Sequence, residues 1–131
     1  MRTHSAPLAG TYLEFDFAAE LLQLDRELSE SGAAHRARTL VKYPSLRVVL
    51  IAMRAGGRIP EHETAGRITI HAISGHLRVH AAERVFDTPA GRLLALDRSV
   101  PHEVEALADS AFVLTIAWPE GSTAAHVTDA G

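Results

Sequence analysis

The first regular pattern along the chain is helical and lies between Asp16 and Ser31. Its apolar residues recur at spacings of four, three and four, which places them on one side of an α-helix. These residues are Phe17, Leu21, Leu24 and Leu28. Asp16 is a suitable N-cap, and Ser31-Gly32 is a suitable stop. The pattern predicts an amphipathic helix over about residues 16–31 that packs on another part of the fold.

After Gly32 the pattern changes to short strands rich in β-branched residues. About eight such segments follow one another, separated by turns that contain Gly, Pro, Asp or Ser. They are RTLVKY, LRVVLIAM, GRITIHAI, LRVHA, RVFDT, LLALD, HEVEAL and AFVLTIAW. The stretch RAGGRIPEH is expected to interrupt them. This regular spacing is typical of a β-sandwich or closed barrel. It predicts a single all-β domain with a barrel over about residues 38–118 and a frayed tail at 119–131.

The segment LRVVLIAM at residues 46–53 is apolar on both of its faces. Leu46, Val48, Leu50 and Ala52 share one face, whereas Val49 and Ile51 share the other. A strand of this kind is expected to be covered on both sides. We predict the barrel interior on one side, and the helix or a second subunit on the other.

Composition and charge narrow the classes of partner. The chain has 131 residues, of which 47% are hydrophobic and 22% charged, and its formal charge is −3. Its basic residues are scattered, which argues against a nucleic acid partner. It has no cysteine, so disulfides and thiolate metal sites are excluded. No signal-like segment and no apolar run of membrane-spanning length is present. We therefore expect a soluble, cytoplasmic protein that does not bind a membrane.

Two clusters of glycine and histidine stand among the turns. In the first, GGRIPEHETAGRITIHAISGH, Gly56 is followed after five residues by His62, and Gly75 closes the stretch. In the second, Gly91 is followed by His102. The three glycines lie where strands are expected to turn, and glycine adopts positive φ there without steric cost.

This arrangement resembles the two motifs of the cupin superfamily. The first cupin motif is a glycine, His-x-His, a glutamate and a second glycine, and the second is a glycine, Pro-x-Gly, a histidine and an asparagine. The spacing is kept, and five of the ten marker positions match. Thr64 stands at the second histidine position, Ile68 at the glutamate position and Ala106 at the asparagine position; Asp97, Arg98 and Ser99 replace Pro-x-Gly. The resemblance implies an antiparallel jelly-roll barrel. It also implies a homodimer, whose interface could include the outward-facing residues of AFVLTIAW.

The resemblance also implies that His62 and His102 meet inside the barrel. Strand alternation places Thr64, Ile68 and Ile70 on the same inner face as His62, where they would line a ligand cavity. The same alternation directs Glu61, Glu63, Glu103 and His71 elsewhere. Two imidazoles can begin a site for a divalent metal ion, although catalytic metals usually take three protein ligands. The alternative is that both histidines form hydrogen bonds at the mouth of a pocket.

Two functions from different classes follow from these residues. The first is a binding domain that holds a small molecule between apolar walls, with His62, Thr64 and His102 as its polar contacts. Replacement of two ligand positions by Thr64 and Ile68 favours this interpretation. The second is a metal-dependent enzyme of the oxygenase or isomerase type, with a reduced ligand set around His62 and His102. The sequence does not decide whether the protein is an enzyme, because one fold hosts many functions.

Overall fold

The structure is a computed structural model that describes residues 7–119, which form one helix and nine strands. The helix α1 spans Phe17–Ser31. The strands are β1 His35–Tyr43, β2 Leu46–Met53, β3 Arg58–His62, β4 Arg67–Ser74, β5 His76–Ala81, β6 Arg84–Pro89, β7 Leu93–Leu96, β8 His102–Ala106 and β9 Ser110–Ala117. The predicted tail begins at Pro119, and its residues 120–131 lie outside the described part of the chain.

The strands form two antiparallel sheets that pack face to face. The five-stranded sheet has the order β1-β2-β9-β4-β7, and the four-stranded sheet has the order β3-β8-β5-β6. The chain crosses between the sheets several times, because β3, β5, β6 and β8 alternate in sequence with strands of the larger sheet. The predicted all-β jelly roll with one leading helix is confirmed.

The helix begins and ends where the sequence predicted. Asp16 accepts hydrogen bonds from the backbone N–H groups of Ala18 and Ala19, which satisfies two of the free donors of the first turn. Gly32 ends the helix in the left-handed conformation, at φ 72°. One part of the predicted apolar face was wrong. Phe17, the first residue of the helix, is 40% exposed, whereas Phe15, which precedes the helix, packs against the cluster that contains Leu24 and Leu28.

One strand was not predicted from the sequence. The segment RAGGRIPEH was expected to interrupt the strands, but its second half forms β3 and pairs with β8. Pro60 lacks an N–H group and is tolerated because β3 lies at the edge of its sheet. The pairing register also shifts between Ile59 and His62, which accommodates the proline.

The strand β2 contributes to two separate hydrophobic clusters. Val49, Ile51 and Met53 lie in the barrel core between the two sheets. Leu50 and Ala52 lie on the opposite face, in a cluster that includes Leu24 and Leu28 of α1. The prediction that both faces of β2 are covered is therefore confirmed, and the helix provides the outer cover.

The outer face of β9 was the expected contact surface of a homodimer. Val113 points outward from the barrel but already packs in the cluster beneath α1. A homodimer therefore stays a prediction, and it would require surface other than this part of β9. Within residues 7–119, no helix is long and apolar enough to cross a membrane.

Candidate functional site

His62 and His102 lie side by side on the inner face of the four-stranded sheet. They are direct partners in the pairing of β3 with β8, so their side chains project from the same face. Val104 and Ala106, which alternate with outward residues along β8, are buried in the barrel core and identify that face as the inner one. The two ring centroids are 4.4 Å apart, with the rings tilted by 57°.

Each ring is held by a backbone carbonyl two residues earlier in the chain. Nδ1 of His62 lies 3.0 Å from the carbonyl oxygen of Pro60, and Nδ1 of His102 lies 3.0 Å from that of Val100. A carbonyl oxygen can only accept, so both Nδ1 atoms must carry the proton. In the neutral ring this leaves the lone pair on Nε2. Both histidines therefore offer Nε2 as a hydrogen-bond acceptor or metal ligand.

Burial favours the neutral form of His102. The residue is 3% exposed, and burial lowers the pKa of its imidazole; the nearby His62 lowers it further, while the bond to Val100 acts in the opposite direction. The neutral ring is therefore the form present at pH 7. Nε2 of His62 is also buried and has no hydrogen-bond partner among the described residues. The pair thus presents an acceptor that requires a donor or a cation from outside the described chain.

The carboxylates near the pair do not complete a metal site. Glu61 and Glu63 are exposed, as is His71. Glu103 forms an ion pair with Arg58, and Glu105 accepts a 3.0 Å contact from His80, both on the outer face of the sheet. Among residues 7–119, no group of three histidine, cysteine, aspartate or glutamate side chains could hold a metal ion.

The three predicted lining residues are all buried, but they lie in different settings. Ile68 and Ile70 project from β4 of the opposite sheet into the barrel core. Thr64 lies in the connection between β3 and β4, where its hydroxyl donates to the carbonyl of Gly66 at 3.2 Å. This local bond occupies the Thr64 proton, so the hydroxyl has only acceptor capacity left for a ligand. That these three residues bind a ligand stays a prediction.

The histidine pair lies at one end of the barrel, which we call the histidine end. Loops 63–66 and 97–101 meet there, and the backbone N–H of Ser99 donates to the carbonyl of Thr64 at 2.9 Å. Two open clefts flank this end on the outside. One of about 360 Å³ includes Thr69 and Thr115 on the outer face of the five-stranded sheet, and the other, of about 580 Å³, includes Glu61, His80 and Glu103. Glu61 thus faces an outer cleft rather than the histidines.

Two further polar side chains on the inner face were not predicted from the sequence. Arg47 shares the inward orientation of Val49 and Ile51 on β2, and Trp118 directly follows β9. The inward orientation of Arg47 could have been inferred from its position in the sequence. Arg47 is the one charged residue of the apolar run LRVVLIAM, and it falls on the inward parity. No pattern in the sequence indicated that Trp118 would lie beside it.

The fold is shared with solved cupin structures. An RmlC-like cupin from Desulfovibrio desulfuricans matches with a TM-score of 0.60 at 21% identity, over 89% of this chain and 96% of that one. An RmlC-like cupin from Shewanella frigidimarina matches with a TM-score of 0.63 at 16% identity, over 69% and 81%. Salicylate 1,2-dioxygenase from Pseudoaminobacter salicylatoxidans, solved with gentisate, matches with a TM-score of 0.68 at 18% identity. That match covers 80% of this chain and 32% of the dioxygenase.

These likenesses are structural rather than close in sequence. No protein-family model matches the chain, and no curated protein matches it significantly. The structural neighbours are cupins, among them an enzyme, which agrees with the resemblance seen in the glycine and histidine motifs. The chain is a small cupin-fold domain.

Proposed function

We propose that this cupin-fold domain binds a small organic molecule at the histidine end of the barrel. The observation that carries the proposal is the unpartnered Nε2 of His62, which is buried beside the ring of His102. A buried polar atom without a partner costs about 1–3 kcal/mol, so a bound donor would stabilise the site. The ligand's hydroxyl or amine group would donate to Nε2.

The surroundings of the pair support a ligand that is otherwise apolar. Ile68 and Ile70 of the opposite sheet are buried in the same barrel core as Val104. Binding sites for small molecules commonly combine apolar walls with a few fixed polar groups that set the orientation. Both imidazoles are fixed by their Nδ1 hydrogen bonds, so little side-chain entropy is lost when a ligand binds.

A second candidate function is metal-dependent catalysis. It is favoured by the same hydrogen bonds, because metal-ligating histidines typically donate their other ring N–H to a carbonyl or carboxylate. His62 and His102 would hold a divalent ion through Nε2, and the ion would act as a Lewis acid. Two imidazoles are fewer than the three protein ligands usual in catalytic zinc sites, so water or a substrate would fill the remaining positions.

Fragment binding by asparagine and glutamine variants of His62 tests the proposal. His62→Asn keeps a donor near the position of Nδ1 and removes Nε2, whereas His62→Gln keeps a polar atom near the position of Nε2. We expect small hydroxyl-bearing fragments to stabilise the metal-free wild type, by about 2.7 kcal/mol at a concentration of 100 times Kd. The asparagine variant should lose this stabilisation, and the glutamine variant should keep part of it. The measurement is thermal unfolding with and without fragment.

The control for nonspecific effects is His71→Asn, because His71 is exposed on the outer surface of β4. Fragments that stabilise the wild type and His62→Asn equally would overturn the proposal. Metal analysis of protein purified without chelator or nickel resin distinguishes the second candidate. Stoichiometric metal that His62→Asn and His102→Asn no longer retain would favour the metal-dependent enzyme.

A further inference from the structure

Arg47 and Trp118 form a second polar pair inside the barrel, on the five-stranded sheet. Trp118 is 5% exposed and belongs to the barrel core. Its backbone N–H donates to the carbonyl of Ser45 at 3.1 Å, which fixes it beside the turn between β1 and β2. The guanidinium carbon of Arg47 lies 5.8 Å from the centre of the Trp118 ring, within the range of a cation–π contact.

Both side chains have a buried donor that lacks an acceptor. Nε of Arg47 and Nε1 of Trp118 are buried and have no hydrogen-bond partner among the described residues. Both atoms can only donate. Four other arginines of the described chain form ion pairs with carboxylates: Arg36, Arg38, Arg58 and Arg67. A guanidinium with a buried Nε–H beside a buried indole N–H is complementary to an anion with more than one acceptor oxygen.

The strand pairings place this pair at the histidine end. Leu46, which begins β2, is opposite Ala117, and Ala117 is in turn opposite Arg67 at the start of β4. Arg67 lies only five residues after His62, across the short connection from one sheet to the other. Arg47 and Trp118 therefore face the barrel interior from one sheet, at the end where His62 and His102 face it from the other.

The two pairs have opposite hydrogen-bonding character. The five-stranded sheet offers donors and a positive charge, whereas the four-stranded sheet offers the Nε2 acceptor of His62. Packed sheets lie about 10 Å apart, and the side chains extend inward from both. A ligand that contacts both pairs would have to fit within this separation.

We propose that the histidine end binds a small hydroxycarboxylic acid. The inference rests on the proposed binding function and specifies its ligand class. The carboxylate accepts hydrogen bonds from Arg47 and from the indole N–H of Trp118. The hydroxyl group donates to Nε2 of His62, and the apolar part of the acid lies against the barrel core.

The test is calorimetric titration with a panel of monohydroxy monocarboxylic acids, from lactate to hydroxybenzoates. Each acid is paired with its amide and with the acid that lacks the hydroxyl. We expect at least one hydroxy acid to bind the wild type, and its amide to bind at least about tenfold more weakly, because the amide lacks the charge that pairs with Arg47. Failure of every acid to bind would overturn the inference.

Three variants assign the contacts. Trp118→Phe retains the ring and removes only the N–H, so it should weaken acid binding several-fold while preserving the fold. Arg47→Gln should weaken acid binding by at least about tenfold; Arg47→Lys, which retains the charge, provides a second measurement if the glutamine variant does not fold. Arg67→Gln is the matched control, since Arg67 lies at the same end but is exposed and paired with Asp97. Acid affinity unchanged in both Arg47→Gln and Trp118→Phe would overturn the inference. If Arg47→Gln does not fold, unchanged affinity in Trp118→Phe together with an amide that binds as tightly as its acid would overturn it.

The outcomes separate this inference from the proposed function. If neutral hydroxyl compounds bind in a manner that depends on His62 but not on Arg47, the carboxylate assignment is wrong and the histidine site stands. If acids bind in a manner that depends on Arg47 but not on His62 or His102, the carboxylate assignment stands. The proposed role of the histidines is then wrong.

Discussion

Replacement of Gly75 by alanine should destabilise the protein by about 3 kcal/mol or more, or prevent it from folding. Gly75 forms the tight turn between β4 and β5 at φ 78°, a left-handed conformation that costs other residues about 1–2 kcal/mol. A Cβ atom at this position would also overlap the carbonyl oxygen of Asp109 and the side chain of Ser110. Because the overlapping atoms include backbone of Asp109 and Ser110, the turn cannot easily shift to relieve the overlap.

Gly91→Ala is the matched control for this prediction. Gly91 has φ 93°, but a Cβ atom there would meet nothing within 4 Å. This variant should therefore lose only the unfolding free energy that the left-handed backbone conformation costs, about 1 kcal/mol. Urea unfolding followed by the fluorescence of the single tryptophan measures both values. If both variants lost the same unfolding free energy, close packing against Asp109 and Ser110 would not be what excludes a side chain at position 75.

Truncation of Leu24 to alanine should cost about 2–5 kcal/mol of unfolding free energy, because it leaves a cavity beneath α1. Leu24 is fully buried among residues that include Leu50 and Ala52 of β2. Leu22 lies two residues earlier on the same helix and is 62% exposed. Leu22→Ala removes the same atoms from solvent-exposed surface and should change stability by no more than about 0.5 kcal/mol.

The comparison tests whether the helix is part of the folded core or an appendage. The same urea unfolding measurement applies to both leucine variants. A loss for Leu24→Ala as small as that for Leu22→Ala would mean that α1 does not cover the outer face of β2 in solution. In that case another surface, such as a second subunit, would have to cover Leu50.

Most of the fold could be predicted from the sequence because its elements have regular periods. The helix followed from the leucine spacing, and β2 and β9 followed from continuous apolar runs between turn residues. The strand β3 was missed because Gly56, Gly57 and Pro60 are typical of a loop. Its strand conformation depends on its position at the edge of the sheet, which is a tertiary property that local pattern does not contain.

The site was only partly predictable, for a similar reason. The spacing of His62 and His102 within the cupin motifs indicated that the rings would meet, and they are adjacent. The contact between Arg47 and Trp118 joins residues far apart in the sequence, so no local period indicates it. The hydrogen bond of Thr64 to Gly66 depends on the exact path of a four-residue connection, and alternation alone treated that connection as a regular strand.

The central claim is that His62 and His102 donate through Nδ1 and leave their Nε2 atoms available to a ligand, with His102 neutral at pH 7. Nitrogen-15 NMR of the histidine side chains in the metal-free protein, followed through a pH titration, tests it most directly. We expect the neutral form of each ring to carry its proton on Nδ1, and His102 to titrate below the ordinary histidine value of about 6.5, since burial lowers its pKa. A neutral ring with its proton on Nε2, or a charged His102 at pH 7, would contradict the claim.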